Sequence, residues 1–284
     1  MEYAYIVKSV WDQTTKTSIQ KTIRYLGKAS QVTEEMVPIE YRGDPSIIAF
    51  ITRYSSVNKK KNETMTRKLR REVFRMLSYN DLKGLLGIYD SYVNLYDMIQ
   101  FYENLLKPVM YSVGQLWAEQ KIDVVTEHVC VNTAITLIKI INERELKRAP
   151  TSRHNKDKIL ICTPNGEQHN LACNIIESVL LSKGYRVYNA SPSLPTESVI
   201  SAVNCILPDA ILISVTIMEH LQTTKNLIRK IRTKSSLPIF VGGIALNDVN
   251  NTADFETIGA MVIRNVPLAD LVKLLKSTLV PIYV

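Results

Sequence analysis

The sequence predicts an α/β protein: a helical bundle followed by a five-stranded, doubly wound parallel sheet, with a small β-containing region at the amino terminus. Three observations carry this expectation. Beyond Lys158, short apolar runs alternate with amphipathic stretches, the mark of parallel strands buried on both faces and joined by helices. Over residues 64–150, apolar residues recur at three- and four-residue spacing with almost no proline, which specifies helices. Near the amino terminus, two β-rich runs flank a polar turn.

In chain order, YAYIVKSV (3–10) and SIQKTIRYLG (18–27) read as a hairpin turning at Asp12–Lys16. A lone hairpin is marginal in water, so it is expected to pack on another part of the molecule, such as segment 38–54. The helical region has candidate breaks at Ser78–Asn80, with Asn80 capping a helix from Asp81, at Pro108, and at Gln120–Asp123; four or five helices result. Pro150–Lys156 reads as a linker. The strands expected after it are 158–163, 186–191, 210–216, 238–243 and 260–265, with helices near 170–183, 196–206, 220–234, 247–257 and 267–279. The expected regions are therefore an N-terminal hairpin region (1–54), a basic connector and first helix (55–76), a helical cap (77–150) and the α/β domain (157–284).

Composition narrows the function classes. A chain of 284 residues with 46% apolar and 22% charged residues is an ordinary globular one, long enough for two domains. No apolar run reaches the roughly 18–20 uncharged residues of a membrane span and no leader pattern opens the chain, so a soluble cytoplasmic protein with no membrane partner is expected. Cys130, Cys162, Cys173 and Cys205 are too scattered for a disulfide framework or a zinc site and are expected as core thiols. The net charge of +8 is concentrated: residues 55–76 hold 8 Lys and Arg against 2 Glu. Lys59, Lys60, Lys61, Arg67, Lys68, Arg70 and Arg71 in that run form a candidate surface for DNA phosphates, the alternative being a solvated helix face.

Ligands of doubly wound sheets bind beyond the carboxyl ends of the strands, so chemistry is expected in the loops there. The first reads Glu167-x-His169-x-x-Ala172, the third Ser214-x-Thr216 after 41 intervening residues, and the fourth Gly242-Gly243 after 25 more. This order and spacing resemble the cobalamin-binding Rossmann-like (flavodoxin-like) domain, whose pattern is Asp-x-His-x-x-Gly, Ser-x-Leu and Gly-Gly. The resemblance implies that His169 is the lower axial ligand of cobalt, oriented by Glu167. It further implies that Ala172, Ser214, Thr216, Gly242 and Gly243 line the slot for the cofactor's nucleotide tail. Glu167, Ala172 and Thr216 depart from the pattern.

The helical region carries a second resemblance. Trp117 precedes Glu127-His128 by nine intervening residues, as in the helical cap of the light-sensing, cobalamin-dependent transcription regulators of the CarH/LitR type. There the tryptophan would cover the upper face of the corrin, while the carboxylate and imidazole would meet its upper ligand; the bland alternative is a tryptophan plugging the bundle. The resemblance implies a non-catalytic sensor that sandwiches cobalamin, adenosylcobalamin in preference to methylcobalamin, with DNA and further copies of itself as partners. Ala118 stands where those regulators carry a histidine that captures cobalt after photolysis. The alternatives are a corrinoid carrier for methyl transfer and an interaction module without cofactor.

Overall fold

The computed structural model describes residues 2–13, 16–54, 59–148, 157–247 and 252–279, the side chains of 52–64 and of 148 excepted. The expected linker at 150–156 and the side chains of Lys59, Lys60 and Lys61 lie outside the described residues. The chain divides into two compact units, Met1–Thr133 and Ala134–Val284.

In the first unit, β1 (Tyr3–Asp12) and β2 (Thr17–Lys28) form the antiparallel hairpin. Among its described residues it is buried only at its base, at Ala4, Ile6 and Leu26; Val7 to Trp11 and Thr17 to Tyr25 are exposed on both faces. Five helices follow: α1 (Pro45–Tyr54), α2 (Lys59–Ser78), α3 (Leu82–Val93), α4 (Met98–Phe101) and α5 (Lys107–Ala118), and then α6 (Val124–Arg148) runs on into the second unit. The cap of α3 is Asp81, not Asn80. The Asp81 carboxylate accepts from Gly84 N at 2.9 Å, while Asn80 takes a left-handed φ of 54° and accepts from the Thr133 hydroxyl. Pro108 does not break the chain's helical course, because a π turn at Tyr102–Leu106 joins α4 to α5 ahead of it. Tyr89, Phe101 and Tyr102 fill the centre of this bundle, packed edge to face.

By length and composition α6 is apolar enough to cross a membrane, with a mean hydropathy of 1.5. Its fully buried residues, Cys130, Ala134, Leu137, Ile138 and Ile141, recur at three- and four-residue spacing, which is the stripe of a core helix.

The second unit holds β3 (Lys158–Cys162), α7 (Leu171–Ser182), β4 (Arg186–Asn189), α8 (Thr196–Ile206), β5 (Ala210–Ser214), α9 (Leu221–Arg232), β6 (Ile239–Gly242), α10 (Ala253–Thr257), β7 (Met261–Ile263) and α11 (Leu268–Leu279). All strands are parallel, in the order β4-β3-β5-β6-β7, so β3 lies between β4 and β5 at the switch point of the sheet. Strand alternation divides the core in two. Leu160, Ile211, Ile213 and Val241 face Val203, Leu227 and Ile231 on one side; Ile159, Ile161, Leu212 and Phe240 face Cys173, Leu180 and Leu275 on the other. Cys162 and Cys173 are the core thiols expected, whereas Cys205, on the outer side of α8, is exposed.

Candidate functional site

The switch point is built around the loop joining β3 to α7. Glu167 N donates to Pro164 O at 3.1 Å and closes a turn in which Gly166 has φ +90°. A side chain at Gly166 would place its Cβ 2.8 Å from Cε1 of His220, so this glycine leaves room for that imidazole. The loop after β4 locks onto the same turn, because Ser193 N donates to both Thr163 Oγ1 at 2.7 Å and Glu167 O at 3.0 Å.

Glu167 is fully buried, and its carboxylate accepts four hydrogen bonds. Oε2 receives the amides of Thr216 at 2.8 Å and Ile217 at 3.0 Å, while Oε1 receives His169 N at 3.1 Å and faces His169 Nδ1 at 2.6 Å. Burial pushes this carboxyl up, but the Ile217 and Thr216 amides, with the imidazole and amide of His169, outweigh it and hold it below the usual glutamate range. An ionised carboxylate can only accept, so the proton between the two side chains belongs to Nδ1. In the neutral ring the lone pair is then on Nε2, and the ring is more than half exposed: 55% of the His169 side chain is accessible, against none of Glu167. This is the tautomer and orientation a metal-ligating histidine requires. The extra methylene of glutamate relative to aspartate is accommodated, since the carboxylate spans from its own loop to the one after β5.

The other expected positions lie on the same edge. Ala172 is exposed in the first turn of α7, Ser214 ends β5, and Thr216 is fixed through its amide. The glycine pair divides into two roles. A Cβ on Gly243, whose φ is +124°, would lie 1.9 Å from Val215 O, so the fold itself demands this glycine; a Cβ on Gly242 would meet Ile263 O at an ordinary 3.4 Å. Two neighbours carry no mark in the sequence pattern. Cys173, whose thiol is raised to about 11 by burial, has Ser191 and Ser214 as hydrogen-bond partners beneath the slot, and His220 covers Gly166. The available signal for His220 is its place on the same open edge, in the loop that follows Ser214.

In the helical unit, Trp117 is in the last turn of α5 and Glu127-His128 in the first turns of α6, so the turn between them brings all three to one end of the helix pair. Asp123 starts α6 by accepting from Thr126 N at 2.6 Å. Trp117 is 50% exposed and is therefore no core plug. His128 Nδ1 lies 2.5 Å from Glu127 Oε2, with the carboxylate mostly buried and the imidazole mostly exposed. Beside this end, Phe74, Arg75, Ser78, Tyr79, Ile122 and Thr126 line a cleft of about 540 Å³.

The basic run is partly committed to the fold. Lys68 pairs with Glu34 at 2.8 Å and Arg75 with Glu72 at 3.0 Å. Arg70 Nε donates to Asn104 O at 2.8 Å, inside the π turn that precedes Pro108. A proline has no N–H to give the preceding turn, and a carbonyl there benefits from an outside donor. Arg67 and Arg71 are exposed. Of the four described members of the expected DNA surface, two thus have partners within the chain.

Among the described residues no cluster of three or more His, Cys, Asp or Glu side chains is arranged to hold a metal ion alone. A single exposed histidine nitrogen backed by a buried carboxylate suits a metal whose remaining ligands come from a cofactor.

Residues 157–264 match the B12 binding domain family, and residues 70–142 match a second B12 binding domain family. No curated protein matches the chain. The monomethylamine corrinoid protein of Methanosarcina barkeri shares the fold, with a TM-score of 0.60 at 12% identity, over 74% of this chain and 98% of that one. A cobalamin-binding protein from Desulfitobacterium hafniense DCB-2 aligns at 16% identity over 74% of this chain and 97% of its own, with a TM-score of 0.40. The chain therefore carries two B12-binding domains, a helical one over residues 70–142 and an α/β one over residues 157–264, and cobalamin binding is the property they support.

Proposed function

We propose that this chain is a non-catalytic, cytoplasmic cobalamin sensor in which His169 Nε2 is the lower axial ligand of cobalt and the helical cap reads the upper ligand. The observation that carries the reading is the Glu167–His169 pair, a buried ionised carboxylate holding Nδ1 and leaving Nε2 exposed. When bound, cobalamin would supply a cobalt centre, which His169 would hold. Glu167 fixes the tautomer and the orientation of the imidazole. Ser214, Thr216, Gly242 and Gly243 are assigned to the tail slot, with Ala172 at its rim. Trp117, Glu127 and His128 are assigned to the upper side, where an indole, a carboxylate and an imidazole together suit adenosylcobalamin better than methylcobalamin. Output runs through self-association or nucleic acid. Light is one candidate stimulus; with Ala118 beside Trp117, His128 is the residue of this chain that would offer an imidazole, in competition with water, on the upper side.

Reconstitution of the purified chain with adenosylcobalamin in the dark tests the ligand assignment. The expected spectrum is that of a histidine-ligated form with the nucleotide base displaced, lost in His169→Ala; no binding, or the same spectrum in both proteins, rejects it. Spectra before and after illumination read the light response separately.

A second reading, a corrinoid carrier for methyl groups, is favoured by the fold shared with the Methanosarcina corrinoid protein. It predicts methylcobalamin occupancy and methyl transfer only with a partner methyltransferase, and no affinity for DNA.

A further inference from the structure

We propose that the β1–β2 hairpin, rather than the basic run of α2, is the nucleic-acid contact of this chain, and that its ligand is single-stranded nucleic acid stacked on an exposed aromatic face. The proposal deepens the nucleic-acid part of the function proposed above and is independent of its cobalamin part.

In an antiparallel pair, directly opposed residues share a face and successive pairs alternate. Two register shifts place the extra residues, Leu26 and Ile23, on β2, so alternation along β1 is unbroken: Tyr3↔Lys28, Tyr5↔Tyr25 and Trp11↔Ser18 lie on one face, and Ile6↔Arg24 and Lys8↔Lys21 on the other. Burial of Ala4 and Ile6 turns the second face toward the body at the hairpin's base. The aromatic face points away from it: Tyr5, Tyr25 and Trp11 are 56%, 53% and 64% exposed. Tyr25 packs against Tyr5 with ring centroids 5.0 Å apart and against Tyr3 at 6.2 Å, so the rings form a preassembled platform. The three half-exposed tyrosines amount to roughly 300 Å² of contiguous apolar surface, within the range of the largest patches on soluble proteins, which are often functional, and Trp11 extends the same face along β1.

Charge identifies the occupant. Residues 3–28 carry 5 Lys and Arg against a single Asp. Lys8 and Lys21 stand directly opposite each other across the strands, an unfavourable pairing that a polyanion relieves, and neither makes an ion pair among the described residues. A second copy would bring the same excess of positive charge onto the same ribbon. With strands only about 5 Å apart, the ribbon is narrow enough for long cationic side chains to reach past its edges to phosphates. Rings laid open on a flat surface stack on bases already free of a duplex. Tyr5 and Trp11 are six positions apart on β1, about 20 Å, a span of several nucleotides. The α2 run lacks this combination: two of its four described cations are engaged within the fold, and it presents no aromatic face.

Fluorescence anisotropy of the full chain without cofactor, titrated at low salt onto a labelled single strand of about 16 nucleotides and onto its duplex, tests the proposal. The strand is expected to bind more tightly than the duplex. Tyr5→Ala and Trp11→Ala should each weaken binding roughly tenfold, and Lys8→Gln with Lys21→Gln should reduce the salt slope by about 1.4. Arg67→Gln with Arg71→Gln should change neither. All these side chains are exposed, and circular dichroism of each variant serves as the control for its fold. Loss of binding only in the Arg67/Arg71 variant overturns the hairpin assignment while keeping nucleic acid as ligand. No binding to either probe, or equal binding by the aromatic variants, overturns the whole inference. So does preference for the duplex, binding only to phosphatidylserine vesicles, or Trp11-dependent dimerisation in sedimentation without nucleic acid.

Discussion

Replacing Glu167 by glutamine keeps the shape of the side chain and removes one acceptor oxygen. Four donors converge on the carboxylate, two at each oxygen. A glutamine oxygen serves one pair, and its NH2 group then faces the other: donor to donor with both amides if it meets Thr216 and Ile217, with the His169 amide alone if it meets His169, whose Nδ1 can turn acceptor. One or two hydrogen bonds to a charged acceptor are lost, at roughly 1.5–3 kcal/mol each, so the α/β unit should lose roughly 1.5–6 kcal/mol. At a urea dependence of about 2 kcal/mol per M, the unfolding midpoint falls by ~0.75–3 M. Function changes in the same direction. If the NH2 turns toward His169, Nδ1 becomes the acceptor and the proton moves to Nε2, which then has no lone pair for a metal. Cobalamin affinity or the histidine-ligated fraction should drop about 10–100-fold, read from the absorption spectrum. Glu167→Asp keeps both oxygens but withdraws them by ~1.5 Å, one carbon–carbon bond, and should lie between wild type and glutamine in both assays. A glutamine variant that unfolds within about 0.5 kcal/mol of wild type, with an unchanged spectrum, would refute the reasoning.

Other outcomes follow from the same contacts. Because the folded state holds the Glu167 carboxyl low, its contribution is complete above the unfolded pKa of about 4.3 and disappears as pH falls through the folded value; urea midpoints of the wild type should decline there more steeply than those of the glutamine variant. Gly243→Ala should cost ~3 kcal/mol or more, since its Cβ meets a backbone carbonyl at 1.9 Å, whereas Gly242→Ala should cost about 1 kcal/mol or less; equal thermal shifts would contradict this. Arg70→Ala should lower the stability of the helical unit by about 1.5–3 kcal/mol by leaving Asn104 O without its side-chain donor, with Arg71→Ala as the near-neutral comparison in calorimetry. Phe240→Ala, from a fully buried site on the central sheet, should cost about 3–5 kcal/mol in chemical denaturation.

The sequence by itself determined what depends on neighbours along the chain. The period of apolar residues separated the bundle from the sheet, and each of the five strands fell inside its expected run. The spacing of Glu167-x-His169, Ser214-x-Thr216 and Gly242-Gly243 pointed to three loops that the parallel sheet gathers on one edge. Local chemistry failed where two signals competed: Asn80 and Asp81 can both cap a helix, and the choice fell to Asp81 because Asn80 adopts a left-handed backbone and meets Thr133. Pro108 reads as a break, yet the wide turn before it absorbs the missing N–H. Only the tertiary structure decided that Glu167 grips the amides of residues 49 and 50 positions away, that Gly243 makes room for Val215, and that Arg70 serves a carbonyl 34 positions away. Those bonds exist because β3 and β5 are neighbours in the sheet and α2 lies against the π turn. Adjacency across a fold is set by the packing of whole elements, and a hydrogen bond between distant loops leaves no periodic mark in the residues that make it.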